Sequence, residues 1–73
     1  MAYNGHCCWN CWNVALWMGN DEGLYRFALD CRRQFPRNLQ KAAEMFMGEV
    51  GRTTPDGAKF TLRAVKAAMR GLE

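Results

Sequence analysis

Trp9-Asn10-Cys11-Trp12-Asn13-Val14-Ala15-Leu16-Trp17-Met18-Gly19-Asn20-Asp21-Glu22-Gly23-Leu24-Tyr25 gathers all three tryptophans of the chain with Val14, Leu16 and Met18, and it contains the first helix boundary. Trp9, Trp12 and Leu16 share one helical face, while Val14, Trp17 and Met18 fall on others. A helix over about residues 10–18 is therefore apolar most of the way round. Asn10 is its candidate N-cap, and Gly19 stands where a left-handed C-terminal residue is usual. Large aromatics bury the most surface per residue, so this helix is expected to be the most buried and to form the centre of the core.

Working outward, a second helix opens at Asn20 or Asp21, where a short acceptor side chain and Glu22 suit the positive end of the helix dipole. Its apolar line is Leu24, Phe27, Ala28, Cys31 and Phe35, and Pro36 ends it because the residue before a proline is pushed out of helical geometry. A third helix begins near residues 36–38 and ends by Gly51, with Leu39, Ala43, Phe46 and Val50 inward. Gly48 weakens it by about 1 kcal/mol relative to alanine. Gly51-Arg52-Thr53-Thr54-Pro55-Asp56-Gly57 is a loop with two readings. Either Thr54-Pro55 starts the last helix, or Asp56-Gly57 is a turn and the helix starts near Lys59 or Phe60. The last helix carries Ala58, Leu62, Val65, Met69 and Leu72 on one side.

Together these elements predict an all-α fold, a small single domain of about four short helices over residues 1–73, with residues 1–8 as an N-terminal arm in which Asn4-Gly5 is a turn. The predicted core draws on Trp12, Leu16, Trp17, Leu24, Phe27, Cys31, Phe46, Val65 and Met69. At 73 residues the chain holds one core at most, and 49% hydrophobic with 23% charged residues is the composition of a folded protein. A domain of this size does not easily bury three tryptophans, two tyrosines and four phenylalanines, so one exposed tryptophan would be a natural anchor for a partner.

The net charge of +3 is unevenly placed. His6 is the sole ionisable side chain before residue 20 apart from cysteine and tyrosine, whereas Lys59, Arg63, Lys66 and Arg70 recur at helical spacing near the end. These four, with Arg52, are the candidate partner-binding residues, a stripe suited to an acidic protein surface or to phosphates. Base-specific reading needs polar groups on the exposed face, and almost none follow Thr61.

Cys8 and Cys11 have the two-residue gap of a zinc knuckle, with His6 and Cys31 as further candidate ligands, but the second knuckle of a strong zinc signature is missing. The expectation is no cofactor, with zinc as the alternative. The chain has no serine and one histidine, shows no close carboxylate pair beyond Asp21-Glu22 and no glycine-rich phosphate loop, so no enzyme is expected. No apolar run is long enough to cross a bilayer and Met1–Gly5 does not read as a secretory leader, which predicts a cytoplasmic protein with reduced thiols and no membrane partner.

Tyr3-Asn4-Gly5, Trp12-Asn13-Val14-Ala15-Leu16-Trp17 and Asn20-Asp21-Glu22-Gly23-Leu24-Tyr25 resemble a group of short phage and prophage proteins of unknown function, and the likeness extends to Thr54-Pro55-Asp56-Gly57-Ala58-Lys59. His6-Cys7-Cys8-Trp9-Asn10-Cys11 departs from that group's pattern, which makes a shared metal site less expected. The resemblance implies an accessory protein, acting in the host cell, that binds and inhibits a host defence complex of the CRISPR or restriction type. Its partner would be a host protein or ribonucleoprotein. A basic chain does not suit mimicry of DNA. The alternatives are a nucleic-acid-binding module using the basic helix and a zinc-stabilised interaction domain.

Overall fold

The structure, a computed structural model, describes residues 8–72. Four helices follow one another: α1 (Trp9–Asn20), α2 (Glu22–Gln34), α3 (Leu39–Glu49) and α4 (Leu62–Arg70). Each packs on two others, α1 on α2 and α4, and α3 on α2 and α4, which closes the four into a ring around one core. The fold is all-α, and the radius of gyration of 11.1 Å is that of a compact chain of this length. Tyr3, His6, Cys7 and the rest of the expected arm before Cys8 lie outside the described residues.

Three helix starts are made by side chains that satisfy otherwise unpaired backbone donors. Asp21 accepts from the Leu24 N–H at 3.0 Å, Asn38 from Lys41 at 3.0 Å and Thr61 from Ala64 at 3.1 Å. Helix α1 differs. Its N-cap is Cys8 and not Asn10, and it runs through Gly19 to Asn20 because the Asp21 N–H still donates to the Trp17 carbonyl at 2.9 Å. Gly48 is accommodated inside α3 on an exposed side.

The core corrects the expectation of a tryptophan centre. Its largest fully buried side chains are Phe46, Met18, Met69, Val14 and Val65, surrounded by Ala28, Ala42, Ala43, Ala58, Ala64 and Cys31. Six small side chains let the helices approach closely, and the remaining space takes flexible methionines and one phenylalanine rather than indoles. Phe46 stacks on Phe27 at 5.5 Å and meets Phe60 edge-on at 5.9 Å. Of the predicted core, Cys31, Phe46, Val65 and Met69 are buried, while Trp12, Trp17, Leu24 and Phe27 are half-buried. Leu16 is 37% and Trp9 40% exposed, so α1 turns its Trp9–Leu16 face outward and buries Cys11, Asn13, Val14 and Met18. Trp17 sits at the rim because its indole N–H has a polar partner there, as amphipathic aromatics usually do.

Segment 50–61 is non-helical up to the Thr61 cap. Thr53 and Lys59 form an antiparallel bridge around a turn in which the Gly57 N–H donates to the Thr54 carbonyl at 2.9 Å. Gly57 has φ +95°, a conformation open to glycine and strained for other residues. The turn reading of Asp56-Gly57 therefore holds and Thr54-Pro55 does not start the helix, but α4 begins at Leu62 after the Thr61 cap, later than the expected start near Lys59 or Phe60.

Candidate functional site

Helix α4 has the sequence LRAVKAAMR, with Ala64, Val65, Ala68 and Met69 buried. At 100° per residue Arg63 and Arg70 project about 20° apart, with Lys66 about 60° from the first and about 40° from the second, and Arg63 and Arg70 are about 10 Å apart along the axis. With Leu62 these three cations line a shallow cavity of about 240 Å³. Arg63 and Arg70 are exposed and Lys66 is half-buried.

No carboxylate neutralises this face among the described residues. The ion pairs found there are Arg26–Glu22 at 2.6 Å and Arg33–Asp30 at 3.1 Å, both exposed on α2. Helix α4 itself contains no acidic residue. Arg63 moreover stands in the first turn, where the helix dipole disfavours a cation by about 0.3–1 kcal/mol. Arg70, in the last turn, is favoured by the same dipole.

The expected four-residue stripe is thus a triad. Lys59 lies outside α4, because the Phe60 N–H pairs with the Arg52 carbonyl at 3.0 Å and keeps the chain extended up to the Thr61 cap. Lys59 and Arg52 are exposed on this segment and do not line the α4 cavity. Arg32, which the sequence offers as a candidate addition to the basic stripe, instead turns its guanidinium to the Met69 carbonyl at 2.8 Å and pairs with an end carbonyl of α4.

What positions the start of α4 is a polar network reaching from α1. Asn10, Asn13 and Trp17 follow one another at i, i+3 and i+7, one side of a helix. The Asn10 side chain accepts from the Lys59 N–H at 2.7 Å and donates to its carbonyl at 2.8 Å, as a neighbouring strand would. Asn13 Nδ2 and Trp17 Nε1 both donate to Asp56 Oδ2 at 2.9 Å. Thr54 Oγ1 donates to Asn13 Oδ1 at 2.6 Å and accepts from the Ala58 N–H at 3.1 Å. Asn13 and Thr54 are fully buried, and this network leaves no buried side-chain donor or acceptor unpaired among the described residues. The bonds from Asn13 and then Trp17 hold the Asp56 carboxyl below the ordinary carboxylate range. The visible signal in the sequence was polar side chains recurring at helical spacing on an otherwise apolar helix.

Of the candidate metal ligands, His6 lies outside the described residues, Cys8 is exposed, and Cys11 and Cys31 are buried. Among the described residues no three His, Cys, Asp or Glu side chains come together as a metal site would require. Burial, reinforced by Asp30, pushes the Cys31 thiol up, which keeps it protonated. No helix among the described residues is long and apolar enough to cross a membrane.

No curated protein and no solved structure matches the chain. A family model does match, over residues 1–72, nearly the whole length. The chain therefore belongs to DUF7249, a family of unknown function.

Proposed function

We propose that this is a non-enzymatic accessory protein of phage type that binds a host defence complex, a CRISPR effector or restriction system, and blocks it by seating the α4 face on an acidic protein surface. The observation that carries this reading is the triad Arg63, Lys66 and Arg70, which has no carboxylate partner among the described residues. A helix that places a cation against its own dipole, on a face without carboxylate partners among the described residues, sacrifices a little stability for attraction to something else. The likeness of Trp12–Trp17 and Asn20–Tyr25 to short phage proteins supplies the biological setting.

An acidic protein suits the triad better than nucleic acid. The face is about 10 Å long, adjoins Leu62, and offers no Asn, Gln or Ser that would read a base edge. Three phosphate contacts would give a log–log salt slope of only about −2.7, too small for firm binding at physiological salt.

The test is the plating efficiency of a targeted phage on bacteria with an active CRISPR or restriction system, with and without this protein expressed. The reading expects plating restored by the wild-type chain and not by Arg63→Glu/Arg70→Glu at equal abundance. Restoration by neither chain in any defence background removes it.

A further inference from the structure

Where α1 gives way to α2 and α3 runs out into segment 50–61, a groove of about 400 Å³ opens, within the range of ligand-sized pockets. Its apolar lining includes Trp17, Leu24, Val50 and Phe60, all half-buried and so presenting part of their surface outward. Two of these are held in place: the Trp17 indole by its bond to Asp56, and the Phe60 ring by its edge-on contact with Phe46. The charged lining residues are Asp21 and Glu49, both exposed. Asp21 uses one carboxylate oxygen to cap α2, and neither carboxylate has a cationic partner among the described residues. In a chain of net charge +3 this groove is locally anionic, and it shares no lining residue with the α4 cavity.

We infer that this groove is a second binding site, for a polypeptide segment of a partner that presents an apolar side chain next to a lysine or arginine. The apolar lining supplies contact area for the anchor side chain, and Asp21 with Glu49 selects the sign of the neighbouring charge. Because the walls are already fixed by internal contacts, little ordering accompanies occupation. The α4 face and the groove carry opposite charges, so they discriminate between different surfaces.

The experiment is an amide and indole N–H NMR titration with acetyl-Leu-Arg-Phe-Arg-amide and, in parallel, acetyl-Leu-Glu-Phe-Glu-amide. The cationic peptide is expected to shift Trp17, Leu24, Val50 and Phe60, and the acidic one to leave them in place. In Asp21→Asn/Glu49→Gln, where the asparagine keeps the oxygen that caps α2, affinity for the cationic peptide should fall at least threefold with melting unchanged. Gly51 lines the same groove with open space around its Cβ position, so Gly51→Leu should weaken binding by filling it while both carboxylates remain. Arg63→Glu/Arg70→Glu should bind the cationic peptide as the wild type does, which reads this site separately from the α4 face. Equal shifts with the acidic peptide, unchanged affinity in Asp21→Asn/Glu49→Gln, or shifts confined to α4 would overturn the inference. So would a peptide-free dimer that dissociates in the Glu49→Gln variant, since the groove would then belong to a second copy.

Discussion

Asn13, midway along α1, donates from its side-chain amide to Asp56 Oδ2 at 2.9 Å, joining residues 43 positions apart, while its carbonyl oxygen takes the Thr54 hydroxyl. This buried amide is the central link, with Asn10 and Trp17 on either side, between the first helix and the turn that precedes the last one. Asn13→Ala leaves the Thr54 hydroxyl buried without its acceptor, which should lower the unfolding free energy by about 1–3 kcal/mol, measured by urea denaturation. A variant as stable as the wild type would mean that the turn is held by other contacts.

Asp56 should make stability depend on acidity in one direction. Its folded-state pKa is depressed by the bonds from Asn13 and Trp17, so as the pH falls the unfolded chain takes up the proton first. The contribution is fully present above the ordinary carboxylate range near pH 4 and is lost as the pH falls through the lower folded value. Urea midpoints measured from pH 6 down to pH 2 should show this decline in the wild type and a smaller one in Asp56→Asn. Parallel curves would show that Asp56 does not contribute.

The placement of the core predicts an inversion of what the tryptophans suggest. Phe46→Ala, at a fully buried site with two aromatic neighbours, should cost about 3–5 kcal/mol, whereas Leu16→Ala, 37% exposed, should cost less than about 1 kcal/mol. Chemical denaturation of the two variants side by side decides it, and a costlier Leu16→Ala would restore α1 as the centre.

The elements whose boundaries were legible are those decided by adjacent residues. Asp21 and Asn38 cap their helices with their own side chains, and Pro36 follows the end of α2, so each can be read within a few positions. The inward face of α1 was not legible, because apolar residues surround that helix and periodicity does not choose among them; Asn13 goes inside by finding Thr54 and Asp56, which are distant in sequence. The start of α4 had the same obstacle. Thr54-Pro55-Asp56 carries the local marks of a helix start, and long-range bonds from Asn10 and Asn13 hold it as a turn instead. Of the candidate site, Arg63, Lys66 and Arg70 could be placed together from spacing alone, and Lys59 could not, since its position follows from that same turn.

The dipole argument gives the α4 face a stability signature of its own. Arg63→Glu removes a disfavoured cation and places a favoured anion in the first turn of α4, which should raise stability by about 0.6–2 kcal/mol at low salt, while Arg70→Glu in the last turn should lower it by a similar amount. Thermal melting at low and high salt checks both the signs and their screening. A loss of stability in Arg63→Glu would show that this arginine has an internal role.

Since those two shifts cancel, Arg63→Glu/Arg70→Glu alters the charge of the face at nearly constant stability, and its affinity for a purified host defence complex is the most direct measurement. By titration calorimetry at physiological salt, with duplex DNA run in parallel, the wild-type chain should bind the complex and the double variant should bind at least tenfold more weakly, with DNA retained by neither. Equal affinity of the two chains for the complex, or wild-type binding to DNA alone, would contradict an α4 surface directed at protein.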